Sequence, residues 1–227
     1  KNYMAAVADD AIADDKIWGL PLALDTLAIY YNKKLLDSAG VALPPTTWNE
    51  FVDAVKKGTR YDKNGNITQS GVAMGTGKNI DNSFDIVSLL MMQNGLELAA
   101  GRRVAFADGL DRGNEAHPAL EAMRFYTDFA RPTKDVYSWN EQKGNALEEF
   151  ARGTTVFYLG FAYDKPRIRA RGPQVPVDVV ALPQLTPAAP VNVANYWLES
   201  VVKKSKHQDE AWDFIRFISE PDRLRRY

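Results

Sequence analysis

The chain has 227 residues, 45% of them apolar and 25% charged, with 28 Lys plus Arg against 29 Asp plus Glu, a formal net charge of −1. That balance fits one large or two unequal folded domains, excludes wholesale disorder and lacks the basic excess of a nucleic-acid binder. There is no cysteine, hence no disulfide framework, thiolate nucleophile or Cys-based zinc site, and no apolar run approaches the ~18 residues that would span a membrane.

Apolar periodicity alternates between the strand and helix periods, the rhythm of a layered α/β architecture. Residues 17–32 read as an extended apolar stretch ending in Ile29-Tyr30-Tyr31, and residues 33–39 as a short helix stopped by Gly40. Pro44-Pro45 marks a rigid connection, after which Thr47 and Glu50 form a capping-box pattern opening a helix to about Lys57. Asp62 to Asn66 is a polar turn and residues 71–74 a short strand. Residues 82–94 read as a helix with an apolar face at Phe84, Val87, Leu90 and Met91, closed by Gly95. Further helices are expected over 114–130, apolar at Leu120, Met123, Tyr126 and Phe129, and over 141–152, stopped by Gly153. A strand over 154–159, a short basic helix over 164–171 and a strand over 177–182 follow. Residues 184–191, flanked and broken by Pro183, Pro187 and Pro190, are the best linker in the chain. Residues 192–202 are again extended, and 207–219 form an amphipathic helix with Ala211, Phe214, Ile215 and Ile218 on one face. Trp18, Trp48 and Trp212 read as core. There is no internal repeat.

The common catalytic signatures are missing. His117 and His207 are the only histidines, outside any His-Glu-x-x-His pattern, and both read as surface residues. No Gly-x-Ser-x-Gly elbow is present. Gly71 to Asn79 imitates a phosphate loop, but five residues rather than four separate Gly71 from Gly77, and Asn79 stands where Ser or Thr would hold magnesium. Asp62-x-Asn64-x-Asn66 imitates the start of a calcium loop, but Ile67 occupies the position that needs Gly and Ala73 the one that needs Glu. A plain turn is the better reading. Carboxylate-pair catalysis is open, although nothing singles a pair out.

Three features exceed this background. Ile17 to Lys33 (Ile-Trp-Gly-Leu-Pro-Leu-Ala-Leu-Asp-Thr-Leu-Ala-Ile-Tyr-Tyr-Asn-Lys) sets Asp25 alone in an apolar run, where a carboxylate must be partnered, exposed or turned to a cleft. Phe150 to Val156 leads to Gly160-Phe161-Ala162-Tyr163-Asp164, a helix, a strand and a glycine turn presenting an aromatic at a helix start. Asn195-Tyr196-Trp197 opens the run to Val201-Val202-Lys203-Lys204-Ser205.

In this order, and with Pro44–Phe51, Ala181-Leu182-Pro183-Gln184 and Ala211-Trp212-Asp213-Phe214-Ile215 between and after them, these features resemble the extracellular solute-binding proteins of ABC importers, in the branch related to maltose-binding protein. The resemblance covers almost the whole chain. It implies a periplasmic-binding-protein type II fold, two α/β lobes joined by a hinge, with one lobe incomplete. Residues 25–190 would form most of one lobe, 1–22 and 193–227 parts of the other, with crossovers near 21–26 and 190–196. Family members usually carry a further N-terminal βα portion and a C-terminal helical portion, so the sequence is expected to be a fragment or trimmed form, with any signal peptide removed or outside it.

The implied function is binding of a solute, a sugar or oligosaccharide, and its delivery by cleft closure to a membrane ABC permease, outside the cytoplasm, with a lipid anchor at a missing N terminus as one form. Binding without catalysis, no cofactor, no nucleic acid and a monomeric state are expected. A polyamine or other non-sugar solute and a glycan-processing enzyme are the alternatives; a ferric site on Tyr30 and Tyr31 is excluded because strand alternation sends the two rings to opposite faces. By position Asp25 would accept hydroxyl protons, with a structural capping or hinge-locking role as its alternative. Tyr163 falls where relatives often stack an aromatic on a sugar, with ordinary helix-start packing as its alternative; Asn195 lies at the second crossover, and Trp197 after it would line the cleft, with a plain core position as its alternative. Lys78, Asn79, Asp81 and Asn82 lie on a loop of polar ligand contacts, with helix capping as the alternative for Asp81 and Asn82.

Overall fold

The computed structural model describes residues 5–101, 103–110 and 117–226. In chain order its elements are α1 (Ala5–Ala11), β1 (Ile12–Ala13), β2 (Lys16–Ile17), β3 (Leu20–Pro21), β4 (Asp25–Thr26), β5 (Ala28–Asn32), α2 (Lys33–Ser38), α3 (Trp48–Gly58), β6 (Arg60–Tyr61), β7 (Ile67–Val72) and α4 (Ser83–Gln93). There follow β8 (Ala99–Ala100), β9 (Arg103–Val104), α5 (Pro118–Asp128), α6 (Ala146–Ala151), β10 (Thr155–Gly160), α7 (Asp164–Arg171), β11 (Val177–Val180), β12 (Ala194–Asn195), β13 (Leu198–Glu199), α8 (Gln208–Ile218) and α9 (Pro221–Leu224). The chain divides into a larger unit, Leu27–Val193, and a smaller one made of the segments up to Thr26 and from Ala194 onward.

The larger unit is built on a five-stranded sheet in the order β11-β5-β10-β7-β6. β10 runs parallel to β7, with Thr155 opposite Ser70, and antiparallel to β5, with Tyr158 opposite Tyr30. β11 is antiparallel to β5 and β6 to β7. Every residue of β10 is buried, as expected of a strand with helices on both faces. On one face Phe157 packs with Phe51 of α3, and Phe51 with Phe129 just after α5; on the other, Tyr158 packs with Tyr30 and with Phe150 of α6. Each such ring contributes about 1.5–3 kcal/mol by burial alone.

Local chemistry sets the boundaries. The Asn32 side chain accepts from the Leu35 amide to start α2, and Gly40 ends that helical turn at φ +71°. Thr47 and Glu50 close a reciprocal capping box on α3. In the turn joining β6 to β7, the Asp62 carboxylate accepts from the amides of Asn64 and Asn66, both at 2.8 Å. Gly172 is required for another reason: a Cβ there would lie 1.9 Å from the Ala151 carbonyl oxygen.

Several residues depart from expectation. His117 is buried, not on the surface: it caps α5, its Nδ1 accepting from the Ala119 amide at 3.2 Å while Nε2 lies 2.9 Å from the Asp108 carbonyl. Phe84, expected on the core face of α4, is 78% exposed because it sits in the first turn, beyond the end of the core. Met123 is exposed because α5 packs through Ala119, Ala122 and Tyr126 instead. β7 begins at Ile67, and α6 spans only Ala146–Ala151, the residues before it forming turns. The helix start expected at Asn114 lies outside the described residues.

The smaller unit holds α1, the β1–β2 hairpin, the two-residue ladders β3–β13 and β4–β12, and helices α8 and α9. Its buried apolar side chains include Val7, Ala11 and Ile215, whereas Trp18 and Phe214, expected in the core, are exposed. Trp18 lies against the hairpin with its indole N–H donated to the Ala13 carbonyl at 3.1 Å, and Phe214 is one position off the Ile215 stripe that α8 buries. Among the described residues no helix is long and apolar enough to cross a membrane.

Candidate functional site

Because β7 and β10 are parallel and both antiparallel partners are reversed, one edge of the large sheet gathers the carboxyl ends of β7, β10 and β11 and the amino end of β5. In open α/β sheets this is the edge at which ligands bind. Two of the connections at this edge carry expected site residues, the turn 161–164 after β10 and the loop 73–82 after β7.

The turn is held by a buried carboxylate. Asp164, inaccessible to solvent, accepts from the Tyr158 hydroxyl at 2.9 Å and the Phe161 amide at 3.2 Å through Oδ2, and from Arg167 Nη1 at 2.7 Å through Oδ1. Burial and the adjacent carboxylate push the Tyr158 phenol far above its ordinary pKa, so it stays a donor. The Tyr30 hydroxyl donates to the Phe161 carbonyl at 2.7 Å. On this support the Tyr163 ring stacks on Phe161, centroids 5.4 Å apart and planes 18° from parallel, and is 46% exposed. The helix start at 164 thus packs one aromatic beneath the other and leaves the outer one facing solvent.

The second connection is tied to the first by Asn82, whose amide donates to the Tyr158 hydroxyl and to the Leu159 carbonyl, both at 3.2 Å. Asn79 is fully committed to protein partners, most of them outside its own loop. Its Nδ2 donates to the carbonyls of Asn140 and Lys143 at 3.0 Å, and its Oδ1 accepts from Thr76 Oγ1 at 2.5 Å and Trp139 Nε1 at 3.1 Å. Asn79 and Asn82 therefore position the loop. Lys78 and Asp81 are exposed on it, Asp81 accepting from Asn145 Nδ2 at 2.9 Å while Asn145 caps α6. Phe84 stands exposed at the start of α4, directly after this loop. Sequence periodicity placed it on a face with Val87, Leu90 and Met91 but carries no information on how far along the axis the core extends. Next to it, burial raises the pKa of the Asp85 carboxyl.

In the smaller unit Asp25 and Asn195 face each other in the β4–β12 ladder, so the two crossover segments pair at the residues expected to carry polar contacts. Asp25 Oδ1 also accepts from the Thr26 amide at 2.7 Å. Trp197 is 84% exposed, which removes the core reading for it. Between Asn195 and Trp197, the Tyr196 hydroxyl donates to the Asp10 carboxylate, and that bond pushes the phenol up to about 12. The structure thus ties Asn82 to Tyr158 and Leu159 of β10, just before the turn that carries Tyr163, keeps Lys78, Asn79 and Asp81 on one loop, and pairs Asp25 with Asn195. Among the described residues no group of His, Cys, Asp and Glu could hold a metal ion.

Comparison with known proteins adds the following. A family model described as bacterial extracellular solute-binding protein matches residues 1–222. A putative binding protein of Brucella abortus is 26% identical over 229 residues, covering 97% of this chain and 51% of that protein. The multiple sugar-binding protein of Streptococcus mutans is 23% identical, covering 100% of this chain and 52% of that one. The chain spans about half the length of the curated relatives it matches. Among solved structures, an ABC transporter solute-binding protein of Thermotoga lettingae bound to α-D-tagatose superposes with a TM-score of 0.72 at 21% identity, covering 98% of this chain and 55% of that one. Maltose-bound MalE3 of T. maritima gives 0.70 at 20% identity, with coverages of 98% and 55%. The fold is that of the type II periplasmic binding proteins, of which the chain represents about half.

Proposed function

The chain belongs to the bacterial extracellular solute-binding protein family, and on that premise we propose that it is part of a carrier that binds a sugar or oligosaccharide and presents it, chemically unaltered, to a membrane ABC permease. The larger unit is assigned to one lobe of the carrier and the smaller to part of the other, with the crossovers near 21–26 and 190–196. Its place is the periplasm or the cell exterior.

The observation that carries this reading is Tyr163. An aromatic ring fixed by stacking, backed by a satisfied buried carboxylate and left half exposed at the binding edge of an α/β sheet offers a sugar a rigid face for its C–H groups. Lys78 and Asp81 on the adjacent loop supply a donor and an acceptor for hydroxyls, and Asn79 and Asn82 hold that loop in place. Asp25, Asn195 and Trp197 are assigned further contacts from the crossover ladder. The names of relatives that bind several sugars, tagatose or maltose favour a carbohydrate over a polyamine. Delivery follows by population shift: bound solute favours one closed arrangement of the carrier, which the permease recognises.

Calorimetric titration of the chain with maltose, mannobiose and tagatose tests the reading. At least one sugar should bind and be recovered unchanged, and Tyr163→Ala should weaken it by about tenfold, the worth of one lost stacking contact. Undiminished affinity in that variant refutes the assignment of Tyr163, and conversion of the sugar refutes a carrier role.

A further inference from the structure

The short helix α7 carries four cations, Lys165, Arg167, Arg169 and Arg171. Two of them are neutralised within the unit: Arg167 pairs with Asp164 at 2.7 Å and Arg171 with Glu148 at 2.5 Å. Among the described residues Lys165 and Arg169 have no carboxylate within salt-bridge distance, and these are the two that line a pocket of about 290 Å³ between α7 and the edge strand β11. They stand four positions apart, so they share one face of the helix. The rest of the lining is Tyr30, Ile168 and Val177 to Val179, which includes one carboxylate, Asp178. That carboxylate is already engaged: it pairs with Lys33 at 2.9 Å and accepts from the Val179 amide at 3.0 Å, and both contacts hold its pKa below the usual carboxylate range. With Lys33 and Asp178 taken as a neutral pair, Lys165 and Arg169 leave the pocket net positive, the Lys165 charge also helping to hold the Asp178 carboxyl low.

We propose that this pocket is a second binding site, for a phosphate dianion, either inorganic phosphate or the terminal group of a phosphate monoester. Three features select that chemistry. A charge of about −2 matches the two cations. The Arg169 guanidinium offers a planar fork of donors to two oxygens while the Lys165 ammonium takes the third as a compact charge. The volume lies at the lower limit of the ~300–1,000 Å³ of ordinary ligand pockets, room for one compact anionic group and not for an oligosaccharide. The proposal stands apart from the sugar-carrier reading, since it uses none of the same side chains.

Titration of the whole chain at low ionic strength with inorganic phosphate, glycerol 3-phosphate and succinate, each followed by calorimetry, tests it. Phosphate or glycerol 3-phosphate should bind saturably and more tightly than succinate. The Lys165→Gln/Arg169→Gln double variant should lose about tenfold or more in affinity, while a charge-matched control, Lys63→Gln/Lys204→Gln, should stay within about twofold. All four side chains are exposed, so both variants retain the fold. Tighter binding of glycerol 3-phosphate assigns the site to an ester and tighter binding of inorganic phosphate to the free ion. Equal losses in the two variants, succinate binding as tightly as phosphate, or no saturable binding would overturn it.

Discussion

Asp164 is the residue on which the strand-end site depends. Its side chain is buried with three donors converging on it, from Tyr158, Phe161 and Arg167. Removing the acceptor strands a buried hydroxyl and a buried amide, each costing about 1–3 kcal/mol. Asp164→Ala is therefore expected to lower the stability of the larger unit by about 3 kcal/mol, read from the midpoint of urea unfolding, and a loss below about 0.5 kcal/mol would show that the network contributes nothing. Arg167 is half exposed and takes solvent as a substitute partner, so its loss matters less. The same reasoning separates Asn79 from Lys78 on the neighbouring loop: the former spends its amide on four protein partners, while the latter extends from the loop into solvent.

At the scale of single elements, the capping box of α3 gives a pH dependence whose sign is fixed by its geometry. Glu50 accepts from the Thr46 amide at 2.8 Å, the Thr46 hydroxyl at 2.9 Å and the Thr47 amide at 3.1 Å, and these bonds hold its pKa below the ordinary Glu value. A group depressed on folding contributes stability that is complete above its unfolded pKa, about 4.3, and lost as pH falls through the folded value. Wild type should therefore exceed Glu50→Gln in urea midpoint at pH 7, with the gap closing as pH drops below about 4; a gap that widens on acidification would contradict the box. This box was legible from Thr47 and Glu50 alone, as α7 was from Asp164 to Arg171, because capping and stop signals are local. Depth was not legible. Phe84 and Phe214 obey helical periodicity yet are exposed, Phe84 in the first turn of α4 and Phe214 one position off the Ile215 stripe, because period alone gives neither how far a core extends along an axis nor which stripe of a helix it covers. His117 was misread because a buried imidazole that satisfies both nitrogens with main-chain groups looks, in sequence, like any polar residue before a helix. For the site, Tyr163, Asp25 and Asn195 were named from motif order, whereas the pairing of Asp25 with Asn195 and the commitment of Asn79 to Trp139, Asn140 and Lys143, some 60 residues away, depend on partners that no local pattern reveals.

At the scale of the molecule, the two units are built differently. The larger carries a continuous aromatic and aliphatic core on both faces of one mixed sheet, and the smaller rests on two-residue ladders with few buried side chains. The larger unit is thus the rigid platform, and the account rests on a sugar meeting that platform at one edge. Backbone amide NMR of the whole chain titrated with maltose, mannobiose or tagatose tests this most directly. The account predicts saturable shifts concentrated in residues 76–84 and 161–164, at the carboxyl ends of β7 and β10. Shifts confined to the opposite strand ends, around the Asp62 turn and Gly153, or no shift with any sugar, would contradict it.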